Sequence, residues 1–267
     1  MILEKQKDKL ILFLLYLIKL EIDKMETKYI NYNFKKSLER IDDILDSTDN
    51  NYEEKGSNIP PRDNLTFTNG FYVDVSSIFV DIRNSSSLPN THTRPTIAKI
   101  YRSFISEVVA IMNGNETCHE INIIGDCVSG VFETPKQEDK NELIGTAAEI
   151  NGIINVLNCK LSKKNIQNIK VGIGIDYGRA LMIKAGYRGS EINEIVWMGD
   201  VVNKASKLSK EGQKTNWVPP IIISNNIYDK ISLDYKQHFQ YQRNNMYGST
   251  VITKESREWL DENSPIN

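Results

Sequence analysis

The chain has 267 residues, of which 40% are hydrophobic and 25% charged, and its formal net charge is −2. This composition is typical of a globular protein with one good core. The chain has no block of five or more consecutive Lys or Arg residues, so a nucleic acid polymer is not the expected partner. The three cysteines show no CxxC spacing and there are only three histidines, which predicts reduced thiols in the cytoplasm rather than a zinc site or disulfides.

Residues 1–48 are expected to form an N-terminal helical segment, because Leu38, Ile41 and Leu45 recur at helical spacing. The apolar run at 10–18 is too short to cross a bilayer, which needs about 20 apolar residues. It has no small-residue cleavage site either. A helix that packs on a partner is favoured over a membrane contact. Residues 1–24 could also precede the natural start, because Met25 opens a self-sufficient helical pattern.

A polar segment at 49–66, which contains Pro60-Pro61, is predicted to be a linker. Residues 67–253 then alternate between short strands and longer helices, and 254–267 is expected to be a tail. The predicted elements are a strand or kinked hairpin at 71–82, a helix at 95–112, a strand INII, a Gly125-Asp126 corner, a strand SGVFE, a helix at 142–157 and two strands at 169–185 that turn at Tyr177-Gly178. This order is that of an α+β, ferredoxin-like (βαββαβ) domain.

Two aspartates stand at the ends of apolar strands, Asp81 in SIFVDIRNSSSL and Asp126 in INIIGDCVSG. A carboxylate that emerges from a buried strand can hold a hard divalent cation, and two can share a pair of ions bound to phosphate oxygens. Either aspartate alone could simply cap a turn. The polar residues Asn84, Ser85 and Ser86 follow Asp81 and could cradle a phosphate chain, although such clusters are also ordinary loops.

The segment VWMGDVVNKASKLSKEG, at 196–212, predicts a helix that begins after Gly199-Asp200. Asn203 and Lys207 are four residues apart, so their side chains lie side by side on one helical face. They could act on a substrate together, or could belong to an ordinary solvated face. Glycines 172 and 174 alternate with apolar residues and predict a close backbone approach to a strand rather than a phosphate loop.

Together these segments resemble the catalytic domain of class III nucleotidyl cyclases, the adenylate and guanylate cyclase fold. FVDIRNSSSL is similar to the first metal motif of the family, usually FxDIxGFT, and IGDCVSGVF to the second. VGIGIDYG is similar to the central VGIGIxxG strand, and WMGDVVNKASKL to the WGDxVNxAxRL helix. The resemblance covers about residues 67–253.

The resemblance implies that Asp81, Asp126 and the backbone carbonyl of Ile82 bind two divalent ions, Mn²⁺ or Mg²⁺, which activate the ribose 3′-hydroxyl and neutralise pyrophosphate. It implies that Asn203 orients the ribose. Lys207 stands where the family has a transition-state arginine. The family also implies a homodimer in which one protomer supplies the metal residues and the other supplies Asn203 and Lys207.

The positions that read the purine base in this family hold Asn122 and Val196 here, and neither purine pair is present. The combination of motifs is similar to the Pycsar pyrimidine cyclases of bacterial anti-phage defence, whose cyclic UMP or cyclic CMP signals to a separate effector protein. Tyr72 or Phe71 could stack on the smaller base, or both rings could belong to the core. Asn122 can pair with uracil or cytosine, because its amide both donates and accepts. The resemblance favours UTP over CTP.

Two other hypotheses remain open at this point. One is a purine cyclase with unusual base contacts, which the residues Asn122 and Val196 disfavour. The other is a catalytically dead cyclase-like module that only binds nucleotide or dimerises, which the intact pair of Asp81 and Asp126 disfavours.

Overall fold

The computed structural model describes residues 27, 29–188, 190 and 192–263. Short 3₁₀ turns lie at Asp49–Asn51, Arg62–Asn64 and Ser85–Asn90. The helices and strands of the described residues, in chain order, are α1 (Phe34–Leu45), β1 (Tyr52–Glu54), β2 (Gly70–Ile82), α2 (Arg94–Asn113), β3 (Cys118–Ile124), β4 (Cys127–Phe132), α3 (Gln137–Ser162), β5 (Val171–Gly186), β6 (Asn193–Met198), α4 (Asp200–Glu211), β7 (Ile221–Ser224), α5 (Asn225–Tyr228), α6 (Leu233–Lys236), β8 (Gln240–Tyr241), β9 (Met246–Ser249) and α7 (Lys254–Asn263).

The chain divides into two compact units. The first unit consists of 1–52, 62–70 and 183–196, and it includes α1. The Asn33 side chain caps α1 by accepting a hydrogen bond from the Lys36 amide at 3.1 Å, as expected for an Asn at a helix start. This helix confirms the helical pattern at 34–45. The predicted apolar run at 10–18 and Met25 lie outside the described residues.

No helix within the described ranges is long and apolar enough to cross a membrane. Helix α1 has a strongly amphipathic pattern but only 12 residues. A membrane-spanning α-helix needs about 20 residues.

The second unit consists of 53–61, 71–182 and 197–267. The strands of the sheet follow the order β3-β4-β2-β5-β7-β9-β8, while β1 pairs with β2 and β6 with β5. Strands β2 and β4 are antiparallel, and β5 and β7 are parallel. The helices α2 and α3 connect strands of this mixed sheet. The predicted α+β, ferredoxin-like class is therefore confirmed.

One face of the sheet carries the main hydrophobic core, in which helices α2 and α3 pack together. Phe104 on α2 and Leu143 on α3 are fully buried, as are Ile78 on β2 and Ile173 on β5. Burying one such side chain stabilises the fold by about 1.5–3 kcal/mol. The core holds β2 and β5 in place, and the candidate site residues lie on and beside these strands.

Helix α4 packs against the opposite face of β5. A Cβ atom on Gly174 would overlap the backbone nitrogen of Ser209 and the carbonyl oxygen of Ala205, and one on Gly172 would overlap the Ser209 carbonyl. Since side chains alternate along a strand, Ile173 enters the main core while the two glycines face the helix. The predicted close backbone approach at these glycines is confirmed.

Of the two alternatives predicted for residues 71–82, the structure has the strand. Strand β2 runs without a turn through Ser76, whose buried hydroxyl lies 2.7 Å from that of Thr134. Strand β5 differs from the prediction, because it continues through Gly178 and the two predicted strands are one. A single glycine does not end a strand whose neighbours remain paired in the sheet.

Two segments predicted to be irregular contain regular structure. Within 49–66, β1 pairs with β2, and the Lys55 amide donates to the Tyr72 carbonyl at 2.9 Å. Within 254–267, helix α7 packs on α3, where the Lys160 ammonium lies 4.8 Å from the Trp259 ring centre. Both segments are short, and their structure comes from tertiary contacts rather than from local propensity.

Candidate active site

The two candidate metal-binding aspartates meet at one corner of the sheet. Asp81, at the end of β2, lies opposite Cys127 in the antiparallel register, and Asp126 immediately precedes Cys127. The Gly125-Asp126 turn joins β3 to β4, and Gly125 has the left-handed φ of 63° that favours glycine. The Ile82 amide donates to the Asp126 carbonyl at 3.4 Å, so the turn is tied to the end of β2.

The charges at this corner favour the binding of a cation. The pKa of Asp81 is raised by burial and then by the nearby Asp126 carboxylate, while Arg83 and Lys210 act in the opposite direction. Burial also raises the pKa of the Cys127 thiol to about 12, so this thiol stays neutral. The site therefore offers oxygen atoms rather than a thiolate.

The donor set fits a hard divalent ion. Two carboxylates with a backbone carbonyl suit Mg²⁺ or Mn²⁺, which are commonly held by one or two carboxylates together with substrate phosphates. Within the described part of the chain, no group of three or more His, Cys, Asp and Glu side chains could hold a metal. Substrate oxygens would have to complete the coordination at Asp81 and Asp126.

The corner that holds Asp81 and Asp126, the candidate metal site, is called the metal corner below. The predicted phosphate loop follows it in the chain. Asn84 adopts the left-handed φ of 53°, and Ser85 and Ser86 begin the 3₁₀ turn that leads toward α2. Asn84 stands at the glycine position of the family motif, and asparagine is the residue that tolerates this conformation best after glycine. The Ser87 hydroxyl donates to the Asn84 carbonyl at 2.7 Å, which fixes the turn.

Asn203 and Lys207 on α4 line an open cavity of about 450 Å³. Arg179 on β5 and Lys204 on α4 also line it, above the buried carboxyl group of Asp176. The Ser224 hydroxyl donates to Asp176, and the Lys204 ammonium lies 4.0 Å from the same carboxyl. Burial raises the pKa of Asp176. The cavity has the cationic and amide groups that a triphosphate and a ribose would require.

The described residues that line this cavity do not include the two candidate metal-binding aspartates, Asp81 and Asp126. Lys210 lies about one turn beyond Lys207 on α4, and its charge acts to lower the pKa of Asp81.

Asn122 on β3 belongs to a buried hydrogen-bonded network. Its Nδ2 donates to Glu120 Oε1 at 3.1 Å, and the Trp197 indole N–H donates to Glu120 Oε2 at 3.1 Å. Glu120 is only 8% exposed. Since Glu120 accepts from Nδ2, it fixes the orientation of the Asn122 amide.

The other two predicted base-binding residues lie on β6 and β2. Val196 is half-buried on β6, within the first unit. The ring of Tyr72 on β2 is covered by the Arg179 guanidinium, whose carbon lies 3.7 Å from the ring centre. Arg179 also donates to Glu54, with its Nε at 3.3 Å from Oε2.

Sequence reasoning missed Glu120, Trp197 and Arg179. Glu120 could have been found from its position two residues before Asn122, since residues two apart on a strand share a face of the sheet. The contact of Trp197 with Glu120 spans 77 residues and has no local signal. Arg179 was missed because the sequence predicted a turn at Gly178 instead of a strand that continues through it.

Residues 69–254 match the family described as the adenylate and guanylate cyclase catalytic domain, and the chain belongs to this family. It is 39% identical over 260 residues to a uridylate cyclase of Gulbenkiania mobilis, and this alignment covers 90% of this chain and 100% of that protein. It is 36% identical to a uridylate cyclase of Treponema porcinum, over 87% of this chain and 82% of that protein.

Solved structures agree with the fold. The adenylyl cyclase CyaB from P. aeruginosa has a TM-score of 0.55 and 18% identity, over 64% of this chain and 84% of that chain. The guanylyl cyclase Cya2 has a TM-score of 0.55 and 13% identity, over 69% of this chain and 95% of that chain. At such identities the likeness concerns the fold alone.

Proposed function

We propose that this chain is a uridylate cyclase that converts UTP into 3′,5′-cyclic UMP and pyrophosphate. The observation that carries the proposal is its 39% identity, over 90% of the chain, to a protein named uridylate cyclase. The convergence of Asp81 and Asp126 at one corner supports a catalytic rather than a degenerate domain.

In this reaction the ribose 3′-oxygen forms a bond to the α-phosphorus. The bond from that phosphorus to the oxygen that bridges it to the β-phosphate breaks, so pyrophosphate leaves, and the 3′-hydroxyl proton passes to solvent. Asp81, Asp126 and the Ile82 carbonyl would hold two divalent ions, Mn²⁺ or Mg²⁺. When bound, these ions would ease loss of the proton and neutralise the departing pyrophosphate.

The residues of the cavity would act on the other parts of the substrate. Asn203 would hydrogen-bond the ribose and fix its 3′-oxygen in line with the bond that breaks. Lys207 would place a positive charge beside the phosphate oxygens, where charge develops in the transition state. The loop at Asn84, Ser85 and Ser86 would direct amides and hydroxyls at the phosphate chain.

The base would be read by Asn122. The amide, oriented by Glu120, retains its Oδ1 acceptor and a second Nδ2 hydrogen, and these match the N3–H donor and the O4 acceptor of uracil. Tyr72, whose ring is covered by Arg179, and Val196 are the other residues proposed near the nucleotide, and Val196 has no group that would read a purine edge.

One assay tests the proposal. The protein is incubated with Mn²⁺ and each of the four nucleoside triphosphates, and products are identified by mass spectrometry. Cyclic UMP from UTP is the expected product. Exclusive cyclic AMP or cyclic GMP would replace the proposal by a purine cyclase, and no product from any triphosphate would favour a dead module. An Asn122→Ala variant should turn over UTP less well, because it removes the amide proposed to pair with the uracil edge.

We further propose that the active form is a homodimer with two composite sites. The absence of Asp81 and Asp126 from the described residues that line the cavity of Asn203 and Lys207 supports this arrangement. Asp81→Ala and Lys207→Ala chains should each be nearly inactive alone. A mixture of the two forms heterodimers with one intact site, and recovery of up to about a quarter of wild-type turnover is expected from random pairing. Turnover is measured after co-refolding or co-expression of the two chains. No recovery in verified heterodimers would contradict the composite arrangement.

The biological role proposed is signalling in the cytoplasm. Similarity of the motifs to the Pycsar cyclases supports a cyclic pyrimidine nucleotide that acts as a second messenger in anti-phage defence. A separate effector protein that binds the cyclic nucleotide would be its target.

A further inference from the structure

We propose that Arg179 binds the triphosphate of the substrate and supplies the two-pronged contact that Lys207 cannot make. This inference rests on the proposed cyclase function. Lys207 stands where the family has an arginine, and a lysine ammonium is a point charge without a planar fork. Arg179 lines the same cavity as Lys207 and Asn203, and it is the one arginine among the described residues of that lining.

The position of Arg179 follows from the continuity of β5. Because the strand does not turn at Gly178, it carries Arg179 past the start of α4. The nearest atom to a Cβ built on Gly178 is Cβ of Val201 on α4, at 3.7 Å, so strand and helix are in contact there. The Arg179 side chain is 53% exposed, and the residue lines the cavity.

The guanidinium is held in place before any substrate arrives. Its central carbon lies 3.7 Å from the centre of the Tyr72 ring, within the range of a cation–π contact. Glu54 accepts from Nε and Nη2. Within the described residues, the Nη1 group has no such acceptor and remains for phosphate oxygens.

The contact with Glu54 is a weak competitor for a phosphate. Both side chains are more than half exposed, at 53% and 63%, and exposed ion pairs contribute only about 0–1 kcal/mol. A triphosphate offers several charged oxygens in a bidentate geometry, which is a stronger partner for a guanidinium. Arg179 can therefore exchange Glu54 for substrate while it keeps its contact with the Tyr72 ring.

The test compares Arg179→Ala, Arg179→Lys and the double variant Arg179→Ala/Lys207→Arg. For both single variants we expect kcat/KM for UTP to fall by about 10- to 100-fold, because neither alanine nor lysine makes a two-pronged contact. The double variant should recover about tenfold over Arg179→Ala, since it restores a guanidinium to the cavity. Arg243→Ala is the matched control, as Arg243 is also exposed and pairs with a glutamate, Glu211, at 2.8 Å.

Wild-type kinetics for Arg179→Ala, full activity for Arg179→Lys, or a double variant no better than Arg179→Ala would each overturn the proposal. Binding of inorganic tripolyphosphate, measured by calorimetry with Mn²⁺, is a second readout that needs no turnover. It should weaken by about tenfold or more in Arg179→Ala and remain unchanged in Arg243→Ala. This readout separates the role of Arg179 from the choice of base, because tripolyphosphate has none.

Mixing experiments locate Arg179 on one side of the composite site. Arg179→Ala chains mixed with Asp81→Ala chains should regain activity, because one site of the heterodimer then keeps every residue. Arg179→Ala chains mixed with Lys207→Ala chains should not, since each site lacks one cation of the cavity. The reverse pattern would assign Arg179 to the metal corner and contradict the inference.

Discussion

Replacement of Asp81 by alanine is expected to lower kcat/KM by about 10³-fold or more, which corresponds to about 4 kcal/mol of transition-state stabilisation. Asp81 and Asp126 lie together at the end of β2, and burial and the Asp126 charge both raise the pKa of Asp81. Removing one carboxylate leaves a site that would hold a divalent ion poorly. The measurement is turnover of UTP with saturating Mn²⁺.

Asp63→Ala is the control, because Asp63 is exposed and lies in the 3₁₀ turn at Arg62–Asn64. Binding of Mn²⁺, followed by electron paramagnetic resonance, is the accompanying readout and should be lost in Asp81→Ala. If Asp81→Ala binds Mn²⁺ and turns over UTP as the wild type does, the assignment of this aspartate to a metal site is wrong.

Replacement of Gly174 by alanine is expected to destabilise the protein by roughly 3 kcal/mol or more. The added Cβ would overlap backbone atoms of Ser209 and Ala205 on α4, and backbone cannot move aside as a flexible side chain can. For a domain of this size the melting temperature should fall by about 6–12 °C. Thermal unfolding followed by circular dichroism measures the change.

Gly145→Ala provides the matched control. Gly145 lies within α3, and a Cβ atom there would meet nothing within 4 Å. Alanine in the interior of a helix is favoured over glycine by about 0.5–1 kcal/mol, so this variant should be slightly stabilised. Equal melting temperatures for the two variants would show that α4 does not pack on β5 as closely as described.

Much of the fold could be predicted because its signals are local. The spacing of Ile100, Phe104 and Val108 predicts helix α2, and those three residues are buried in the core. The alternation of glycines and apolar residues in VGIGI predicts a strand that faces two different layers, as β5 does. The apolar strand before Asp81 predicts that this residue emerges at a strand end.

Other features could not be predicted because they depend on neighbours that are distant in the chain. Strand β5 does not turn at Gly178, since its neighbours stay paired in the sheet, whereas the local pattern favours a turn. Helix α7 forms where Trp259 packs against α3, and its charged sequence gives little sign of this. The proposed roles of Asp81, Asn203 and Lys207 remain predictions until the variants are measured.

The sequence by itself determined the positions of Asp81 and Asp126 at strand ends and of Asn203 and Lys207 on one helical face. Turn residues and hydrophobic periodicity act over a few residues, so these features can be read without a structure. Only the tertiary structure decided that Glu120 contacts both Asn122 and Trp197, and that Arg179 lies over Tyr72 beside Lys207. Such contacts arise when strands and helices pack, and the physical reason they escape the sequence is that no local pattern specifies which distant side chains meet.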